Sequence, residues 1–290
     1  MNQTEIINII SRDSRLSLFE SSYNKKTIPI VRSKLLSKYD DRILHGFSTR
    51  LGGVSTEHLA SMNLSFSRGD DPKKVMENHR IFAGSLGYDP ERTVFSNQVH
   101  KTYIRIVTEE DAGKGIIKES DIKETDGLIS NEKKLPLMTF YADCVPLLFY
   151  APDNNVIASV HSGWKGTLAQ IGAKTVDIFN NEYNSDISKL ICFIGPSICY
   201  DCYEVSSDVA DEFLKIHPDY IDKKIIRYTG NDKYHLNLQD ACRDILMDAG
   251  MNSDNIEISG LCTSCNHEIL FSHRKTNGLR GNLAAVIMLR

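Results

Sequence analysis

The chain has 290 residues, 41% of them hydrophobic, so it can bury a substantial core in one large domain or two modest ones. Its 34 basic and 38 acidic residues leave a net charge of only -4, which excludes the basic footprint of a nucleic-acid binder and favours a small ligand. No stretch approaches the roughly 20 apolar residues of a membrane span, and Ser11, Arg12 and Asp13 interrupt the first apolar run before a signal-peptide core can form, so neither membrane nor export is expected.

A cytoplasmic setting follows as an expectation, with the seven cysteines kept as thiols or metal ligands. Residues 1–40 are polar, with Ile28-Pro29-Ile30-Val31 as one strand-like piece, and read as an N-terminal extension to a domain spanning 41–290. Apolar periodicity predicts helices at about 72–86, 166–181, 206–216 and 237–249. A short strand is expected at Thr93-Val94-Phe95. Two continuous apolar strands follow in LPLMTFYAD and VPLLFYAP, a third in VIASVHSGW, and two more in NIEISGLCT and the C-terminal LAAVIML. Strands this uniformly apolar need cover on both faces. With no internal repeat or linker, the expected architecture is a single mixed α/β (α+β) domain of mixed sheets covered by helices.

Three residues stand out where strands end. His161 closes a strand and is followed by Ser162-Gly163-Trp164-Lys165-Gly166, a glycine-punctuated turn into a helix, which places it at a sheet edge. Cys144 sits between two apolar strands, just before Pro146, which cannot donate to a ladder. His100 ends Ser96-Asn97-Gln98-Val99-His100. Singly, each is equally well explained as a buried structural residue. Together, two imidazoles and a thiolate suit zinc and leave a tetrahedral position open for water or substrate. The same trio also suits a metal-free thiol hydrolase or amidase with Cys144 as nucleophile.

Elsewhere, Arg50 with Gly52 and Gly53 has the composition of an anion cradle, and an exposed turn explains it as well. Cys199-x-x-Cys202 and Cys262-x-x-Cys265 could make a structural zinc site, although turn glycines are missing beside them. Ser272-His273-Arg274-Lys275 either lines a pocket or is solvated. The absence of a Walker loop, a complete G-x-G-x-x-G, G-x-S-x-G, H-E-x-x-H and H-x-E argues against several common enzyme classes.

From about His45 to Arg290 the chain resembles the laccase-like, multicopper polyphenol oxidase family of the YfiH type, whose members are regarded as purine nucleoside phosphorylases. The resemblance rests on HGFSTRLGGVS at 45–55, NQVH at 97–100, TDG at 125–127, ADCVPLL at 142–148 and HSGWKG at 161–166. It continues through GPSICYDCYEV at 195–205, LNLQDA at 236–241 and CTSCNHEILFSHR at 262–274. It implies a YfiH-type fold, similar to that of bacterial-toxin cysteine deamidases, with His100, Cys144 and His161 as ligands of zinc, or of copper. It also implies phosphorolysis of adenosine, inosine, guanosine and methylthioadenosine, and deamination of adenosine.

On that reading Arg50, Gly52, Gly53 and His45 bind substrate or phosphate, and Asp143 or Asp126 moves a proton beside Cys144. Two positions depart from the family pattern: Cys199 stands where glycine is expected, and His273 where tyrosine is frequent. A full multicopper assembly is not expected, because nine histidines with no H-x-H pair cannot furnish one.

Overall fold

The computed structural model describes residues 16–290. Alternating burial explains the layering. In Val145–Ala151 (β8), Leu147 and Phe149 face one side and Leu148 and Tyr150 the other, and all four are fully buried. The strand therefore lies in a sheet covered twice. That sheet has six strands: Ile256–Ile258 (β14), Ile191–Ile194 (β10), β8, Val156–Ser162 (β9), Gly127–Ser130 (β6) and Ile104–Ile106 (β5), in that order.

A second six-stranded sheet runs Leu16–Glu20 (β1), Thr27–Val31 (β2), Ile43–Ser48 (β3), Leu283–Leu289 (β15), Leu137–Tyr141 (β7) and Val94–Phe95 (β4). Phe47, Leu137, Tyr141, Leu148, Ile157 and Ala285 form the core between the sheets. The outer face of the β15 sheet packs Leu44, Met138 and Val286 against Ile81 and Phe82 of the helix Pro72–Leu86. The outer face of the β8 sheet packs Phe149 and Val160 against Phe179, Phe213 and Leu246 of the helices Ile171–Tyr183, Ser207–Ile216 and Leu238–Asp248. The order of layers is helix, sheet, sheet, helices. A small sheet of Glu204–Ser206 (β11), Lys233–Leu236 (β13) and Ile226–Gly230 (β12) lies beside them. No helix among the described residues is long and apolar enough to cross a membrane.

The expected helix at 166–181 is two helices, Trp164–Leu168 and Ile171–Tyr183, because Gln170 takes a left-handed conformation (φ 60°) between them. The region read as an N-terminal extension contributes two strands to a sheet. Leu16–Glu20 pairs with Thr27–Val31, which pairs with β3, so residues from Leu16 onward complete the sheet edge. Ile28, Ile30 and Val31 are buried there, and the remainder of the extension, residues 1–15, lies outside the described residues. Pro146 causes no bulge; it pairs with His161 inside β8, and the break precedes it.

Candidate metal centre

Residues 142–144 carry the chain from β7 in one sheet to β8 in the other, turning at Asp143, whose φ of 87° is uncommon outside glycine. His161 lies near the end of β9 on the face shared by the two sheets, and His100 sits in the loop after β4 with a φ of 60°. This topology gathers three residues that are far apart in sequence. A ligand atom from each of His100, Cys144 and His161 lies within 4.8 Å of the other two. The two imidazole rings meet edge to face at 4.8 Å.

The electrostatics match the geometry. Burial pushes the Cys144 thiol up, but the imidazoles of His161 and His100 outweigh it and bring the thiol down to about 6. Burial alone would depress His161, whereas the Cys144 thiolate and Asp126 raise it. Asp126, fully buried, accepts backbone N–H bonds from Val99 (3.1 Å), His100 (3.0 Å) and Lys101 (2.9 Å), and its Oδ1 lies 2.9 Å from His161 Nδ1. One carboxylate therefore fixes both the loop that carries one ligand and the ring orientation of another, leaving His161 Nε2 free for a metal. Asp126 thus has four hydrogen-bond partners. Asp143 lines the cavity, and its carboxylate accepts from Thr263 Oγ1 and the Arg274 amide, both at 2.6 Å.

Above the trio opens a cavity of about 1030 Å³, lined by Phe66, Arg68, Gln98, Tyr203, His273 and Arg280 among others. The hydrogen bonds of Arg68 and Arg280 among the described residues go only to backbone carbonyls. Arg280 Nε and Asn282 Oδ1 are buried without partners among the described residues. Burial, and then the neighbouring Arg68 charge, pull the Arg280 guanidinium down to about 10. The two guanidinium groups therefore share one wall of the cavity. His273, in the segment read from the sequence as either lining a pocket or solvated, shares this wall.

The anion cradle expected at Arg50 is not here. The Arg50 guanidinium bonds the Ala60 and His267 carbonyls at 2.8 and 2.9 Å and stacks on Phe271. The amide of Gly53 donates to Ser61 Oγ, and side chains at Gly52 and Gly53 would collide with Ile28 and the Ser61 carbonyl. This segment is a packed turn. His45 is likewise a core residue: its Nε2 accepts from the Ser33 amide at 3.0 Å, and it does not reach the cavity.

Sequence reasoning missed Arg68, Arg280 and Gly163. The arginines lie in SFSRGD and NGLRG, which carry no signal until the fold brings them together. Gly163 had one available clue, its place immediately after the strand bearing His161.

Residues 44–290 match the sequence profile described as multi-copper polyphenol oxidoreductase laccase. The chain belongs to this family. It is 35% identical to the purine nucleoside phosphorylase YlmD of Bacillus subtilis over 86% of this chain and 89% of that protein. It is 30% identical to a purine nucleoside phosphorylase of Bacteroides thetaiotaomicron over 97% and 98% of the two chains. The crystal structure of YlmD from Geobacillus stearothermophilus superposes with a TM-score of 0.84 at 30% identity, covering 94% of this chain and all of that one (100%). Despite the family's older name, no candidate metal cluster among the described residues contains more than two histidines.

Proposed function

We propose that this chain is a zinc-dependent purine nucleoside phosphorylase that cleaves the N-glycosidic bond of adenosine, inosine, guanosine and methylthioadenosine with inorganic phosphate, and that also hydrolyses adenosine to inosine and ammonia. The observation that carries the proposal is a two-imidazole, one-thiol cluster sharing one cavity with a pair of arginines that lack carboxylate partners among the described residues. The relatives named as purine nucleoside phosphorylases support the same reading.

The donor set fits zinc, which when bound by His100, Cys144 and His161 would supply Lewis-acid stabilisation of developing negative charge. Copper would fit the same donors, but the chain lacks the histidines for a multicopper oxidase. Arg68 and Arg280 would hold phosphate, with Arg280 Nε as a ready donor. Phe66, Phe140, Trp164 and Tyr203 offer aromatic surface to a purine. Asp126 keeps His161 in one tautomer, and Asp143 anchors the Arg274 backbone at the cavity wall.

The deciding experiment incubates the purified protein with adenosine, inosine and methylthioadenosine, with and without phosphate, and identifies the products by chromatography. Free base that appears with phosphate, together with ribose 1-phosphate (5-methylthioribose 1-phosphate from methylthioadenosine), supports the proposal; no turnover at high enzyme concentration overturns it. In Arg280→Gln the KM for phosphate should rise about tenfold or more, the cost of one charge-assisted contact, with the nucleoside KM little changed. The depressed Cys144 thiol favours the competing thiol-hydrolase reading. Full activity in metal-free protein, abolished by alkylating Cys144, would establish that alternative.

A further inference from the structure

We propose that Cys199, Cys202, Cys262 and Cys265 bind a second, structural Zn²⁺ ion that clamps together two loops forming the wall of the nucleoside cavity. The four Sγ atoms all lie within 4.8 Å of one another, with Cys202 to Cys265 at 3.4 Å and Cys199 to Cys265 at 4.0 Å. A tetrahedral tetrathiolate with Zn–S bonds of about 2.3 Å has sulfurs about 3.8 Å apart, so the cluster needs only small side-chain adjustments. The separations also exceed the roughly 2.05 Å of a disulfide bond.

A second feature concerns the sulfur of Cys262. The backbone amides of Cys199 and Cys265 both point at it, each at 3.3 Å. A thiol is a weak acceptor, whereas a metal-bound thiolate has lone pairs that reward two N–H donors. The backbone already holds the two turns in register: Ser197 bridges Cys262, with Ser197 N to Leu261 O at 3.2 Å and Thr263 N to Ser197 O at 3.1 Å. Each Cys-x-x-Cys thus arrives from a different segment of one small bridge. Cys199 completes the set of four.

Binding would replace four S–H protons with one dication, releasing the protons to solvent and leaving a tetrathiolate of net charge -2. The clamp's position gives it a purpose. Thr263, next to Cys262, donates to Asp143, and the Ile198 amide donates to the Asp143 carbonyl at 2.9 Å. Ile198 and Tyr203 line the cavity on either side of Cys199 and Cys202. Fastening the cysteines therefore fixes both the cavity wall and the residue beside Cys144.

The test is metal stoichiometry by plasma mass spectrometry on reduced, desalted full-length protein loaded with zinc. Wild type should hold two zinc ions per chain and Cys144→Ala one. Cys265→Ala should also hold one, and Cys265→His should restore the second, because imidazole can replace a thiolate ligand. Cobalt(II) loaded into Cys144→Ala should show the intense visible bands of a tetrathiolate site, which Cys265→Ala in the same background should lack. Thermal unfolding of Cys265→Ala should occur at a lower Tm that added zinc no longer raises as in wild type. A single zinc in wild type that disappears in Cys144→Ala would overturn the proposal. So would a Cys202–Cys265 disulfide in protein purified without oxygen, or alkylation of all four thiols at equal speed with and without zinc. None of these readouts uses nucleoside turnover, so the clamp and the phosphorylase reading fail separately.

Discussion

Gly163 has no side chain because there is no room for one: a Cβ would stand 2.7 Å from His100 Nδ1 and 3.2 Å from Cys144 Sγ. Gly163→Ala should therefore displace two of the three ligands while leaving the distant cores intact. Asp126→Asn acts differently, keeping the volume but removing the charge that holds His161 and three amides. Loss of such an outer partner typically weakens a metal site about 10- to 100-fold. Both variants should show at least that loss in zinc affinity by chelator competition, with near-normal far-UV circular dichroism. Wild-type affinity in both would mean that neither residue supports the centre.

At the scale of elements, the strands and long helices were legible because their hydrophobic periods are strong. Pro72–Leu86 has Asp71 capping its start, proline at its first position and Gly87 at its end, so punctuation and period agree. The split at Gln170 was not legible, since glutamine is an ordinary helix former that gives no warning of a left-handed turn. The packing of the glycine pair was not legible for a related reason. Paired glycines at 52 and 53 serve close packing as readily as ligand approach, and only the fold shows which.

The role of the N-terminal segment rested on a contact 224 positions away, which no local pattern contains. The Glu257 carboxylate on β14 accepts from Ser33 Oγ (2.7 Å), Lys34 N (3.1 Å) and Leu35 N (2.8 Å), tying residues beside the β2–β3 edge to the other sheet. Glu257→Ala should cost about 1–3 kcal/mol, read as a lower urea midpoint. An unchanged midpoint would show that the clasp is incidental.

Across the whole molecule, buried neutral histidines predict how stability depends on pH. Burial lowers His79 to about 4, and burial followed by the Arg32 charge holds His45 well below its ordinary value. Below about pH 6.5 the unfolded chain binds these protons while the folded chain refuses them, so stability falls as pH drops from there toward 4. Tm should decline through that window, and His79→Gln should decline less steeply than wild type. Equal slopes would remove His79 from the account. The candidate site reached this level of organisation only in part from sequence: the ligand trio was visible as types, but its convergence depends on two sheets stacking.

The crossing at 142–144 has a consequence for how this protein tolerates change. Because Cys144 is stitched into the seam where one sheet hands the chain to the other, neither sheet can slide without tugging on that thiol. Drift in the packing between the layers is therefore transmitted to the chemistry through a three-residue thread, and the interior nearest that thread has the least freedom to vary.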